Sequence, residues 1–73
     1  METFAQRLKL CRKRKRLTQK AAAEAVHIAF STYRRYEQGI SEPVLSDAVR
    51  IADFFGVTLD YLAGQSDYPT QLM

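Results

Sequence analysis

The residues best suited to binding chemistry form an adjacent pair, Arg34 and Arg35. Each guanidinium carries N–H donors in a planar fork, which matches the O6 and N7 atoms of guanine or the oxygens of a phosphate. Tyr33 and Tyr36 flank the pair at helical spacing. In a helix from Ala29 to Gln38 the tyrosines would face a core and both arginines would point outward. An exposed arginine pair on a short helix suits insertion into a DNA major groove.

The sequence around the arginine pair supplies both ends of such a helix. Gly39 can adopt the left-handed C′ conformation that ends a helix, and Pro43 follows where a new helix can begin. Upstream, Leu17-Thr18-Gln19 lies at the interval that a helix-turn-helix requires. The hydroxyl of Thr18 is suited to cap the N-terminus of the helix that begins there and precedes the arginine-bearing helix. The pattern therefore predicts two short helices joined by a turn, and the second helix carries the arginine pair.

The charges are distributed unevenly along the chain. Residues 1–20 hold eight Lys or Arg residues and one acidic residue, a net charge of +7. Residues 21–73 hold three basic and seven acidic residues, a net charge of −4, which leaves +3 for the whole chain. A basic pole on a small protein attracts anionic polymers, of which the DNA backbone is the commonest. The alternative is a solvated cationic helix face that maintains solubility.

Length and composition restrict the class of protein. The 73 residues suffice for one small domain, and a content of 47% hydrophobic and 26% charged residues is typical of a compact soluble globule. No apolar run approaches the roughly 20 residues that span a bilayer, and no signal-peptide pattern is present. We therefore expect no membrane partner and a cytoplasmic, nucleoid-associated location.

The sequence gives little support for catalysis or metal binding. Cys11 is the only cysteine, so we expect a core side chain; a redox switch among the neighbouring cationic residues is the alternative. His27 is the only histidine and lacks a spaced ligand partner, so we interpret it as a turn residue. With no Gly-rich phosphate loop and no nucleophile–base set, we predict no enzyme, no cofactor and no metal.

Five helices and no strand are predicted. Their expected ranges are Glu2 or Thr3 to Arg14, Thr18 to Val26, Ala29 to Gln38, Leu45 to Phe55, and Thr58 to Gly64. Thr3 and Thr58 are the expected N-caps of the first and last helices. The side chains expected to face inward are Phe4, Leu8, Cys11, Leu17, Leu45, Ala48, Ile51, Ala52, Phe55, Leu59 and Leu62. Residues 1–64 form the predicted domain, and residues 65–73 form a tail.

The combined spacing resembles that of the lambda-repressor-like (Cro/Xre-type) helix-turn-helix family over roughly residues 4–64. The matching positions are Leu17-Thr18-Gln19, Ala23, Ile28, Thr32, Tyr33, Tyr36-Glu37-Gln38-Gly39, Pro43 and Val57 to Leu62. The resemblance implies a compact all-α five-helix DNA-binding domain with the helix-turn-helix at its second and third helices. It also implies a transcription regulator that binds double-stranded DNA as a homodimer on a palindromic site.

The resemblance also assigns roles by position. It places four residues where the recognition helix faces base edges: Phe30, Ser31, Arg34 and Arg35. It places six at or near the DNA backbone: Thr18, Gln19, Lys20, Thr32, Ile40 and Ser41. Arg12 and Glu37 match a family ion pair that ties the first helix to the end of the third. For Arg35 a guanine contact is expected, and the alternatives are a phosphate contact or a surface ion pair with Glu24 or Glu42.

Several positions depart from the family pattern. His27 and Arg16 stand where glycine is common, and a positive φ at His27 would cost roughly 1 kcal/mol. Ala29 replaces the usual Ser or Thr cap of the recognition helix, which loses about 1 kcal/mol of capping. Ala22 replaces a customary leucine. Phe30 is unusual for base reading: a thymine methyl, a sugar and the adjacent turn are its alternative contacts.

Dimerisation is expected through the last helix and the tail, which carry apolar groups beyond the needs of a small core. The expected interface residues are Tyr61, Leu62, Tyr68, Leu72 and Met73. The alternative is that only the region of the fourth and fifth helices pairs.

The preferred function is a repressor of phage, plasmid or mobile-element type. The alternatives are an antitoxin or a restriction–modification controller that represses its own operon, and a protein-interaction adaptor that no longer reads DNA. A regulatory protein partner is a further possibility.

Overall fold

Five α-helices follow one another along the chain in a computed structural model that describes residues 2–70. They are α1 (Glu2–Arg14), α2 (Gln19–Ala25), α3 (Phe30–Glu37), α4 (Leu45–Phe55) and α5 (Leu59–Ala63). No strand occurs in this range. The all-α, five-helix architecture predicted from the sequence is confirmed.

Short polar side chains and glycines set the ends of several helices. The hydroxyls of Thr18 and Thr58 accept hydrogen bonds from the backbone N–H groups of Ala21 and Tyr61, at 3.1 and 3.0 Å. Gly56 and Gly64 end α4 and α5 in the left-handed conformation. These caps agree with the sequence prediction. The prediction that Thr3 is an N-cap is wrong, because α1 already includes Glu2 and Thr3 lies inside it.

The core forms where α1 packs against α3 and α5, α2 packs against α3, and α4 packs against α5. The rings of Phe4 and Tyr36 pack edge to face, with their centroids 6.0 Å apart. Cys11 is buried in this core, and burial raises the pKa of its thiol. The neutral thiol is therefore favoured, which agrees with a packing role.

Two side chains that were expected to face inward are exposed. Leu45 has 74% of its surface exposed, and Leu59 is also exposed. Each is the first residue of its helix, and the buried side chains lie further along: Ile51 and Ala52 in α4, and Tyr61 and Leu62 in α5. The periodicity of the sequence identified the correct helices but not the depth at which each one enters the core.

Residues 65–70 pack against the helical body through Arg7. Its Nη1 donates to the carbonyl oxygens of Tyr61 and Ser66, both at 2.5 Å, and its Nη2 pairs with the Asp67 carboxylate at 3.0 Å. The guanidinium also lies 4.3 Å from the centroid of the Tyr61 ring. The N–H of Thr58 donates to the Pro69 carbonyl at 2.9 Å. These contacts hold the described part of the tail against α1 and α5.

Alanine at Gly64 should destabilise the fold more than alanine at Gly56. Both glycines have positive φ, +83° and +68°, so each substitution costs about 1–2 kcal/mol of backbone strain. A Cβ at Gly64 would also lie 2.9 Å from the Thr3 methyl, whereas a Cβ at Gly56 would meet nothing within 4 Å. We expect an extra loss of about 1 kcal/mol at Gly64 in urea denaturation.

The Thr3→Ser change is the matched control for this comparison. It removes the methyl group in question, so in the Gly64→Ala background it should recover the extra loss. Equal destabilisation by the two alanines would contradict the close packing of α1 on the end of α5.

Candidate nucleic-acid interface

The α2–turn–α3 unit is built on small buried residues and one strained turn. Ala22 and Ala23 are fully buried, which lets α3 approach α2 closely. His27 in the turn has a φ of +58°, a conformation that glycine adopts without strain. Ile28 is buried behind the turn, and its N–H donates to the Ala23 carbonyl at 3.0 Å. The positive φ considered for His27 from the sequence is therefore present.

The α3 helix has one buried face and one exposed face. Tyr33, Tyr36 and Glu37 are buried, and Tyr33 has no exposed surface. The side chains on the opposite face are exposed, and they are those assigned to base reading: Phe30, Ser31, Arg34 and Arg35. Thr32 is half-buried between the two faces. Ala29 is the N-cap and makes no side-chain capping bond, as expected for alanine.

The two arginines of α3 are held in different directions. The guanidinium carbon of Arg34 lies 5.7 Å from the centroid of the Phe30 ring, one helical turn earlier. Arg35 Nε donates to Ser41 Oγ at 3.2 Å, which directs its side chain toward the α3–α4 loop. Among the described residues Arg35 forms no ion pair, so a pairing with Glu24 or Glu42 is absent. Its two Nη groups remain available for a planar contact.

A polar network joins α1 and α2 to the end of α3. Arg12 binds the Glu37 carboxylate through Nε and Nη2, at 2.8 and 3.1 Å, and its Nη1 donates to the Leu17 carbonyl at 2.9 Å. Gln19 Nε2 donates to the same carboxylate at 3.1 Å. The ion pair that the resemblance implied is thus present, and Gln19 completes it. The buried hydroxyl of Tyr33 has no hydrogen-bond partner in the described structure.

This network sets the ionisation of its members. Burial alone would raise the pKa of Glu37, but the hydrogen bonds and charge of Arg12, together with the nearby Tyr33 hydroxyl and the Gln19 amide, outweigh it and lower the pKa. Burial is the main reason why the pKa of Tyr33 is raised, so the tyrosine stays neutral. At neutral pH a buried carboxylate therefore carries a full charge, compensated by Arg12.

A second network, which was not predicted, holds the helix-turn-helix to α4. The Tyr36 hydroxyl donates to the Asp47 carboxylate at 2.7 Å, and Arg50 also binds that carboxylate. Arg50 Nε donates to the Val26 carbonyl at 3.0 Å, at the C-terminal end of α2. The only sequence signal was the Asp47–Arg50 spacing of three residues within one helix. Together the two networks position the exposed face of α3.

The residues assigned to the DNA backbone fall into two groups. Thr18, Gln19 and Lys20 lie together at the start of α2, where Lys20 is exposed and Gln19 is half-buried. Ile40 and Ser41 lie in the α3–α4 loop, and Ile40 is exposed.

The basic run at the end of α1 is not directed entirely toward the helix-turn-helix. Lys15 Nζ lies 5.1 Å from the ring centroid of Phe54 on α4.

Two of the expected interface residues are not surface residues. Tyr61 and Leu62 are 5% and 2% exposed and belong to the core of the protomer. The prediction that they are apolar groups unneeded by the core is wrong, because α5 uses them to pack on α1 and α4. Tyr68 is 61% exposed. Leu72 and Met73 lie outside the described residues.

Residues 2–70 contain no cluster of His, Cys, Asp and Glu side chains that could hold a metal ion. The helices of residues 2–70 include none with the length and hydrophobicity of a membrane span.

Known proteins resemble the chain over most of its length. A family model described as helix-turn-helix matches residues 8–62. The uncharacterized HTH-type transcriptional regulator YqaE of Bacillus subtilis (strain 168) is 41% identical over 59 residues, 81% of this chain and 51% of the relative. YobD, an uncharacterized HTH-type transcriptional regulator of the same strain, is 38% identical over 66 residues, 90% of this chain and 59% of the relative.

A phage protein is among the relatives. The cryptic phage CTXphi transcriptional repressor RstR of Vibrio cholerae serotype O1 (strain ATCC 39315 / El Tor Inaba N16961) is 33% identical over 48 residues, 66% of this chain and 43% of the relative. The chain spans about half the length of the curated relatives it matches. No solved structure matches it significantly. The chain belongs to the Cro/C1-type helix-turn-helix family, whose members are DNA-binding transcriptional regulators and not enzymes.

Proposed function

We propose that the chain is a sequence-specific repressor of phage, plasmid or mobile-element type, which acts as a dimer on a palindromic operator. The observation that carries this proposal is the division of α3 into two faces. Tyr33 and Tyr36 anchor one face in the core, and Arg34 and Arg35 project from the other. Such a helix can enter a major groove without unfolding any packed element.

Base reading is assigned to the exposed side chains of α3: Phe30, Ser31, Arg34 and Arg35. The guanidinium of Arg35 can still donate two hydrogen bonds through its Nη groups to O6 and N7 of a guanine. The hydrogen bond from its Nε to Ser41 already restricts the Arg35 rotamers in the free protein. Less side-chain entropy is therefore lost when Arg35 binds DNA.

Backbone positioning is assigned to the residues at the start of α2 and in the α3–α4 loop: Thr18, Gln19, Lys20, Thr32, Ile40 and Ser41. The amide of Gln19 has two N–H donors and gives one to Glu37. The second donor is left for a phosphate oxygen. The same side chain would then fix the position of α3 and the position of the DNA strand.

A dimer is proposed because the DNA-contacting surface of one α3 helix is small. One short helix contacts only a few base pairs, so two copies with recognition helices about 34 Å apart would supply useful specificity. In this proposal residues 1–64 bind DNA, and the tail of residues 65–73 contributes to pairing. Tyr68 remains a candidate contact, and the exposed Val49 and Leu59 support pairing through the α4–α5 region as well. Sedimentation that shows one protomer per operator at saturation would contradict the dimer.

The relatives support regulation but leave its target open. One of them is named as a phage repressor and two as transcriptional regulators. An antitoxin or a restriction–modification controller that represses its own operon would use the same surface. A protein-interaction adaptor is less well supported, because such a module has no need for two exposed arginines on α3 beside Lys20 and Gln19.

The proposal can be tested on the DNA upstream of the chain's own gene. A gel-shift titration and a footprint on that region should show one protected, two-fold symmetric site with half-sites about one helical turn apart. Binding that is equal on unrelated DNA of the same length, with no footprint, would favour the adaptor.

Binding should weaken steeply as salt concentration rises. If each dimer contacts roughly 6–8 phosphates, log affinity should fall with log salt at a slope of about −5 to −7, because each contact releases condensed counterions. Fluorescence anisotropy on one duplex over a range of salt concentrations measures this slope. A slope of about −1 would mean that the basic residues of α1 and α2 serve a different anion.

A further inference from the structure

Phe30 and Arg34 form a contact that neither DNA positioning nor the protein core requires. Phe30 is the first residue of α3 and remains 42% exposed, although it is a large apolar side chain. Arg34 follows one turn later, with its guanidinium carbon 5.7 Å from the centroid of the Phe30 ring. At this distance the aromatic face attracts the cation, and both side chains become more ordered.

The chemistry of the ring restricts what it can recognise in a major groove. A phenylalanine ring has no hydrogen-bonding group, and the C5 methyl of thymine is the apolar group that a base pair presents there. The first residues of a recognition helix are those that contact base edges. An exposed ring at this position is therefore suited to bury a thymine methyl.

The cation beside the ring supplies the second half of the contact. A guanidinium recognises guanine by donating to O6 and N7 in the plane of the base pair. The separation of 5.7 Å falls between one and two base-pair steps of about 3.4 Å each. Both side chains can therefore engage neighbouring base pairs at the same time.

We infer that Phe30 and Arg34 act as one specificity-determining unit, which recognises a thymine methyl group within one or two base steps of a guanine. This inference rests on the proposed sequence-specific binding and adds the base content of the half-site. Because the ring orients the guanidinium before binding, reading of the guanine depends on the aromatic character of Phe30.

The test begins with a selection on duplex DNA that carries a randomised central segment. The enriched half-site should contain a thymine within two steps of a guanine. The selected duplex is then rebuilt with uracil in place of that thymine, which removes the methyl alone, or with 7-deazaguanine in place of that guanine, which removes the N7 acceptor alone. Uracil should weaken binding roughly fourfold per half-site, and 7-deazaguanine should weaken it about tenfold.

Three variants then identify the side chains responsible. Phe30→Ala should abolish sensitivity to uracil and reduce sensitivity to 7-deazaguanine. Phe30→Leu should retain sensitivity to uracil, because leucine is apolar, but should lose part of the sensitivity to 7-deazaguanine, because leucine has no aromatic face. Arg34→Ala should abolish sensitivity to 7-deazaguanine. Circular dichroism establishes that each variant is folded before titration.

The outcomes separate this inference from the proposed function. If the selection enriches no sequence, the proposed sequence-specific binding is wrong. If a sequence is enriched but uracil has no effect on the wild type, or Phe30→Leu keeps the full response to 7-deazaguanine, the Phe30–Arg34 unit is wrong and sequence-specific binding stands.

Discussion

Replacement of Arg12 by methionine should lower the free energy of unfolding by about 3–5 kcal/mol, because it leaves the Glu37 carboxylate buried without its cation. The loss is large for a domain of this size, whose total stability is about 5–15 kcal/mol. Urea denaturation followed by circular dichroism at neutral pH measures it. Arg14→Met, which removes an exposed cation from the same helix, is the matched control and should change the free energy by less than about 0.5 kcal/mol.

A compensating change at Glu37 should recover much of this stability. In the double variant Arg12→Met with Glu37→Gln no unpaired charge remains, and the new amide oxygen can still accept the hydrogen bond from Gln19. If Arg12→Met is as stable as Arg14→Met, the ion pair does not hold α1 to α3.

The same network predicts a pH dependence with a definite sign. The folded state lowers the pKa of Glu37 below its ordinary value of 4.5, so the native state binds its proton less readily than the unfolded state. The stabilisation by Glu37 is complete above that ordinary pKa, and it is lost as pH falls through the lower folded pKa. Comparison of urea denaturation at neutral and acidic pH should therefore show a smaller acid-induced loss in the double variant than in the wild type.

Replacement of Arg35 by alanine should separate specificity from general affinity. Loss of a guanine fork costs about 1–3 kcal/mol per half-site on the selected operator and changes binding to scrambled DNA little. Anisotropy titrations of the folded variant on both duplexes give the two values. If both duplexes lose affinity equally, Arg35 is a backbone clamp, and base reading passes to Ser31 or to the Phe30–Arg34 unit.

Lys20→Ala provides the contrasting control for Arg35. Lys20 is exposed at the start of α2, where a phosphate contact is proposed. Its loss should weaken binding to all sequences alike. The slope of log affinity against log salt should become shallower by about one for each phosphate contact removed. A specific loss on the operator alone would place Lys20 at a base edge.

Helix positions and, apart from Thr3, the caps were predictable because their causes are local. Thr18 and Thr58 accept backbone N–H groups three residues ahead, and Gly56 and Gly64 supply the left-handed conformation, so each signal lies within a few residues of its effect. The two faces of α3 followed from spacing as well, since Tyr33 and Tyr36 are three residues apart.

Contacts between distant residues were predictable only where the family pattern supplied them. The Arg12–Glu37 pair joins residues 25 positions apart and was implied by the resemblance. Arg7 binds Asp67 across 60 positions, and no spacing rule connects them. Leu62 is buried as its spacing predicted, but its assignment to the dimer interface, and that of Tyr61, was wrong because periodicity shows that a helix has an apolar face but not which neighbour covers it.

One equilibrium titration at fixed salt shows whether the exposed face of α3 reads DNA sequence. The chain is titrated into the selected duplex and into a scrambled duplex of identical length and base composition. We expect the chain to bind the selected duplex at least about 10³-fold more tightly than the scrambled one. Equal affinity for the two duplexes would contradict this expectation.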